Sequence, residues 1–195
     1  MLTDMARKQK VVTQMGNQGA SNPLLKTVQD WVDSHVIGNI SKVQIWTNRP
    51  VWPQGIKMPK SDPSAKHKDL NWDLWLGPAP NKPYTPNMHP FNWRGWWDYG
   101  TGALGDVGCH LIDIPFRTLG LKYPKSAECS VGSVFTKMWN PDYHPEGCPP
   151  SSLMTLNFDG TEKSNSPIVM TWTDGGIRPP HPDISPANSD IGGQD

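Results

Sequence analysis

Apolar positions change period several times along the chain, and each change marks an element. Leu24, Leu25, Val28, Trp31 and Val32 recur at helical spacing and predict an amphipathic helix running to about His35. Asn22 stands where an N-cap belongs, Pro23 suits the first helical position, and Gly38 is the expected stop. Ahead of it, residues 1–9 read as the end of a helix, with Arg7 and Lys8 near its negative pole. Lys10 to Met15, centred on Val11 and Val12, then predicts a short buried strand closed by the turn Gly16-Asn17-Gln18-Gly19. Ile40, Val43, Ile45 and Trp46 predict a strand over Ile40–Asn48, and Val131, Val134 and Phe135 another over Ala127–Met138. Ser152–Asp159 and Pro167–Thr173 form a further pair, with Asp159-Gly160-Thr161 breaking between them in hairpin fashion. Trp139 to Pro150 is a turn-rich connection.

Long stretches between these segments have no period. Arg49 to Lys68 is a proline-rich excursion, and Tyr84 to Pro90 is another loop. Trp72, Trp75 and Leu76 form an aromatic knot on a short helix or turn ended by Gly77-Pro78. Strands around one central helical region describe an α+β domain with an open, largely antiparallel sheet. The opening helix–strand–helix has the rhythm of a doubly wound nucleotide-binding sheet. Such a sheet needs several parallel neighbours, and no Gly-x-Gly-x-x-Gly lies within residues 1–37.

Composition narrows the functional classes. At 195 residues the chain holds one ordinary domain, or one domain and a piece of another. Its formal net charge of zero gives no pull toward nucleic acid or an anionic membrane. No apolar run approaches the length of a membrane span, and the first residues lack a signal-peptide core. Twenty-one prolines and eighteen glycines predict long ordered loops. Cys109, Cys129 and Cys148 are odd in number and widely spaced, so free thiols are expected and no metal site; Cys109 reads as a small buried hydrophobe.

The chemistry concentrates between Trp93 and Asp113. Aromatic residues surround Arg94, the glycine-rich Gly100-Thr101-Gly102-Ala103-Leu104-Gly105 follows, and then come Asp106, His110 and Asp113. Spacings of four and three place those three groups on one face of a helix. Glycines before such a face would let another molecule approach the backbone. The helix is expected to continue to Gly120, kinked by Pro115. Trp96, Trp97 and Tyr99 offer flat faces for a sugar ring or fill the domain, and Asp113 reads equally as a substrate contact or as a cap. Arg94, cationic at any relevant pH, has a fork suited to a pyrophosphate, or stacks on its tryptophan neighbours at the surface. Gln14 and Asn17 would stand at the carboxyl end of the expected parallel strand, where open α/β sheets bind ligands.

Trp93-Arg94, the glycine-rich turn and Asp106-x-x-x-His110-x-x-Asp113 together resemble the glucose–fructose oxidoreductase/inositol dehydrogenase (Gfo/Idh/MocA) family. Asn71-Trp72-Asp73-Leu74-Trp75-Leu76-Gly77-Pro78 and Gln14-Met15-Gly16-Asn17-Gln18 look like its bacterial subgroup, and the likeness runs from about Leu2 to Ile184. The resemblance implies a hydride transfer between NAD or NADP and a carbinol carbon of a sugar or polyol. It implies catalytic roles for Asp106 and His110 and a place near the cofactor for Trp93 and Arg94; Asp113, Trp97 and Tyr99 stand beside them as candidate substrate contacts, and Gln14 and Asn17 as candidate cofactor contacts, on the residue readings given above. It further implies that residues 1–37 are the tail of a dinucleotide-binding Rossmann domain and 38–195 a truncated C-terminal substrate and oligomerisation domain. The family's Glu-Lys-Pro motif with its catalytic lysine is not found here, and no lysine of this chain inherits that role.

Two other readings follow from the same resemblance. Some relatives use a tightly held nicotinamide to oxidise a sugar transiently during a lyase or glycoside-cleaving cycle. A non-catalytic carbohydrate-binding or assembly module is the third reading, since the sheet face of this domain often joins copies into homo-oligomers. The expected partners are a sugar or polyol and a second copy of the chain, with neither nucleic acid nor membrane. The compartment, cytoplasmic or exported, is left open.

Overall fold

The computed structural model describes residues 1–192. Helices α1 (Leu2–Gln9) and α2 (Leu24–Asp33) precede strand β1 (Lys42–Trp46), and the short α3 (Trp72–Leu76) lies within the long loop region. Helices α4 (Gly102–Leu111) and α5 (Asp113–Thr118) come next, followed by β2 (Ser126–Val131), β3 (Val134–Lys137), β4 (Asn140–Asp142), β5 (Ser152–Phe158) and β6 (Ile168–Thr173). Strands run β1-β6-β5-β2 in the main sheet, with β1 parallel to β6 and the other pairs antiparallel. The fold is therefore α+β with a largely antiparallel sheet, and β3 and β4 form a separate small hairpin.

Alternation along the strands decides which face is covered. Met154, Leu156 and Phe158 of β5 stand opposite Trp172, Met170 and Ile168 of β6, with Val43 and Ile45 of β1 beside them. These residues meet Val32 of α2 and Ala103 and Val107 of α4 in one core, with Trp52, Leu119 and Leu121 at its margins. The other face carries Thr155, Asn157, Thr171, Gln44 and Lys42, which explains why it remains open. Among the described residues, no helix is long and apolar enough to cross a membrane.

Five sequence expectations change at this level. No strand forms over Lys10–Met15: Lys10 closes α1 in the left-handed region, and Val11 and Val12 are exposed. A strand needs a neighbour for its backbone groups, and among the described residues the main sheet's parallel pairing is between β1 and β6. Helix α2 stops at Asp33, short of the expected end; the Ser34 hydroxyl donates to the Asp30 carbonyl at 2.6 Å and His35 turns left-handed. The segment expected as one strand to Met138 divides after Val131, where the Gly132 amide crosses to the Ser151 carbonyl at 2.9 Å. The turn-rich connection beyond it carries β4. Finally, Cys109 is exposed, because it lies on the side of α4 away from Val107 and Gly108.

Of the two N-terminal helices, only α2 joins the core. Val32 is buried, Gln29 Nε2 donates to the Thr118 carbonyl at 3.3 Å, and Asp33 pairs with Lys163 at 2.6 Å. Helix α1 buries no residue.

Candidate functional site

Helix α4 places the central groups, and its start depends on glycine. Gly102 opens it at φ +63°, a conformation that costs a side-chain-bearing residue, and a Cβ there would lie 2.8 Å from the Cys148 Cβ. At Gly100 a Cβ would come within 2.6 Å of the Arg94 Cα, and at Gly105 within 1.8 Å of the Thr101 Oγ1. The expectation that these glycines admit another molecule is thus corrected: the protein's own atoms occupy the space. Glycine lets the turn fold back against Arg94.

That tight return brings Arg94 to Asp106. Arg94 Nε donates to Asp106 Oδ1 at 2.8 Å, and Nη1 donates to the Phe91 carbonyl at 2.9 Å. The guanidinium lies 4.5 Å from the Phe91 ring centroid and 4.6 Å from that of Trp93, with Trp52 at 5.8 Å. Both side chains of the pair are partly buried. Arg94 is therefore held by rings, a carbonyl and a carboxylate at once, and two of its three nitrogens have protein acceptors.

A cleft of about 320 Å³ opens beside this pair, lined by Trp93, Arg94, Trp97, Tyr99 and Asp106 among others. Trp97 is half exposed there. Tyr99 leans on Trp75, with ring centroids 5.7 Å apart, and Trp75 stacks on Trp72 at 4.6 Å and 9°. The tryptophans of the 72–76 knot thus serve as packing behind the cleft. The Tyr99 hydroxyl is buried without a hydrogen-bond partner among the described residues. Burial, and after it the charge of Asp98, pushes its phenol above the ordinary tyrosine range.

The remaining expected residues fall elsewhere. His110 lies one turn beyond Asp106 on α4, half-buried and outside the cleft lining, with no hydrogen bond or ion pair among the described residues. Asp106 spends an oxygen on Arg94 and makes no hydrogen bond to His110. The single helix expected through Gly120 breaks at Ile112, where Pro115 has no amide to offer the Leu111 carbonyl. Asp113 consequently begins α5 and pairs with Arg117 at 3.3 Å. Gln14 and Asn17 sit in the irregular segment before α2, outside the cleft; Gln14 is exposed and donates to the Met15 carbonyl.

Two groups were not legible as site residues. Asp98 lines the cleft and pairs with Lys82, whose ammonium is raised above its usual range by that hydrogen bond. Adjacency to Tyr99 was a signal for Asp98; a lysine sixteen residues upstream in a loop gave none. Asp174 lines a neighbouring cavity and is buried, its carboxylate accepting from the Ser152 amide at 2.5 Å, the Ser152 hydroxyl at 2.7 Å and Trp172 Nε1 at 3.0 Å. An acidic residue between a strand and Gly175-Gly176 was the available clue.

Comparisons with known proteins bear on the assignment. The sequence model described as the oxidoreductase family, C-terminal alpha/beta domain, of the Gfo/Idh/MocA group, matches residues 22–130. That span takes in α2, β1, α4, α5 and most of β2. No curated protein sequence gives a match. Among solved structures, the super-repressor mutant of Gal80p from Saccharomyces cerevisiae aligns with 90% of this chain and 38% of its own, at 13% identity and a TM-score of 0.45. A likeness of that size carries no argument about function.

Proposed function

The chain belongs to the Gfo/Idh/MocA oxidoreductase family, and on that premise we propose that it forms the substrate-facing part of an NAD(P)-dependent oxidoreductase acting on a sugar or polyol hydroxyl. Residues 1–37 are in this reading the tail of the dinucleotide-binding domain, and 38–195 the substrate and oligomerisation domain. The observation that carries it is the arrangement on α4: a carboxylate, Asp106, pinned by Arg94 at a cleft, with an unpartnered imidazole, His110, one turn on.

The residues present do not make a dinucleotide site by themselves. Arg94, the expected pyrophosphate contact, has its Nε and Nη1 committed to Asp106 and Phe91. Gln14 and Asn17 do not line the same cleft. In this proposal the nicotinamide is gripped by chain outside these residues, and only the proton and substrate work falls to this one. An alcohol losing hydride must also lose its hydroxyl proton, and an imidazole accepts a proton at neutral pH. The Asp106 carboxylate, paired with Arg94 one turn before His110, supports by its charge the imidazolium that forms in this step. Trp97 and Tyr99 would meet the apolar face of a sugar ring, and Asp113 its outer hydroxyls if Arg117 yields. The open outer sheet face, with Leu153 and Val169 exposed, is where a second copy would pack.

The test is reduction of NAD+ or NADP+ by the whole protein that contains this chain, followed by nicotinamide absorbance over a panel of aldoses, inositols and sugar acids. Turnover with a member of the panel is the expected result. Absence of turnover with every pairing, with cofactor binding intact, would overturn the dehydrogenase reading.

A further inference from the structure

A second cavity, of about 560 Å³, lies on the other side of the α4 start, between that helix, the end of β2 and the loop after β4. It shares Trp97, Thr101 and Gly105 with the cleft beside Arg94 and Asp106, so the two spaces adjoin across the Trp97 ring. Its size falls within the range of roughly 300–1,000 Å³ typical of small-molecule pockets.

What matters is which polar atoms in it still lack partners. Asp174 accepts three hydrogen bonds, from the Ser152 amide and hydroxyl and from Trp172 Nε1. The Gln54 amide is used at both ends: Oε1 accepts from Trp52 Nε1 at 2.9 Å and Nε2 donates to the Pro149 carbonyl at 2.6 Å. Asp142 accepts from the Thr136 hydroxyl at 3.0 Å. Cys148 is a buried thiol that burial pushes up to about 12, so it behaves as a neutral, apolar wall atom. Leu104, Val131, Val134 and Pro145 add apolar wall. Thr101, Ser133, Tyr143 and His144 also line the cavity and would meet a hydroxyl, yet most of the lining is apolar, so an apolar group fills it at a lower desolvation cost than a sugar. The neighbouring cleft has the opposite character, since Arg94, Asp98 and Asp106 line it. Trp97 and Val131 leave 53% and 58% of their surfaces exposed, apolar area that a bound group would cover.

We propose that this cavity is an aglycone subsite: the cleft takes the polar sugar, and the cavity behind Trp97 takes an apolar substituent linked to it, of the size of an aromatic ring. The inference rests on the carbohydrate reading above for the sugar half, and the aglycone half stands on the cavity alone. The substrate class is then an aryl or similarly apolar glycoside in preference to a free sugar.

The experiment is an NMR titration of the isotopically labelled chain with 4-nitrophenyl β-D-glucoside and, separately, methyl β-D-glucoside. The aryl glycoside is expected to bind at least tenfold more tightly, and to shift the Trp97 indole together with the amides of Ala103 and Val131. Val131→Arg, on an exposed edge-strand position, should bring its affinity down to that of the methyl glycoside while the core resonances keep their positions. Trp97→Ala should do the same if the arginine folds away from the cavity. Equal affinity for the two glycosides, no binding of the aryl glycoside, or shifts confined to other exposed apolar residues and indifferent to both substitutions would each overturn the subsite. Failure of nicotinamide turnover leaves this result untouched, so the two proposals fail separately.

Discussion

Replacing Asp174 removes the acceptor that ties the start of β5 to the end of β6. In Asp174→Ala, the Ser152 amide and the Trp172 indole N–H lose their partner; Trp172 is fully buried, and Ser152 nearly so. The Ser152 hydroxyl can rotate toward another acceptor, so the cost falls chiefly on two orphaned donors. Each orphan costs about 1–3 kcal/mol, giving roughly 2–6 kcal/mol in all. Water entering from the adjoining cavity would relieve part of this, which places the expected loss at about 2–4 kcal/mol. Asp174→Asn keeps one oxygen for the Ser152 amide, and its NH2 can donate to the Ser152 hydroxyl. Only Trp172 Nε1 is left facing a donor, for a loss of about 1–3 kcal/mol. The assay is urea unfolding followed by tryptophan fluorescence, with the denaturant dependence unchanged among the three proteins. The expected order is wild type, then Asn, then Ala. An alanine variant within about 0.5 kcal/mol of wild type would refute the latch, because surface substitutions away from special features fall in that range.

Three further outcomes are expected. Cys109 and Cys129 should react with a thiol reagent at pH 8 while Cys148 stays protected until the protein unfolds; burial raises the Cys148 thiol to about 12. Its folded pKa exceeds the unfolded value near 9, so its contribution to stability is complete below about pH 9 and shrinks as pH rises toward 12, which a series of melts reads directly. The 195-residue chain should bind neither NADH nor NADPH in a micromolar fluorescence titration, since Arg94 is committed elsewhere and the glycine-rich turn before α4 is packed against Arg94, Cys148 and Thr101; micromolar affinity would contradict the cofactor assignment.

The parts of this molecule that sequence made legible are those set by local period. The spacing of Asp106 and His110 places both on α4, and the alternation of Leu156, Phe158, Ile168 and Met170 marks the β5–β6 hairpin with its buried face. Interactions between segments were not legible. The Arg94–Asp106 pair depends on the backward turn at Gly100, and the Lys82–Asp98 pair depends on the path of a loop with no period. Val11 and Val12 show the limit from the other side: an apolar run is a strand only where a neighbour can take its backbone hydrogen bonds. Glycine carried an ambiguity of its own, since a residue without Cβ makes room equally for a ligand or for the chain itself, and at Gly105 it is Thr101 that fills the room.

The most direct test of the central claim is the hydride-transfer rate of His110→Ala in the whole protein, read by nicotinamide absorbance beside a fluorescence titration of the cofactor. Loss of a general base lowers kcat by about 10²–10⁴-fold. The account predicts a fall of that order with cofactor affinity nearly unchanged, and a smaller fall in the same direction for Asp106→Asn, which weakens both the pair with Arg94 and the support of the imidazolium. Wild-type kcat for His110→Ala across the neutral pH range would contradict it and make α4 a structural helix.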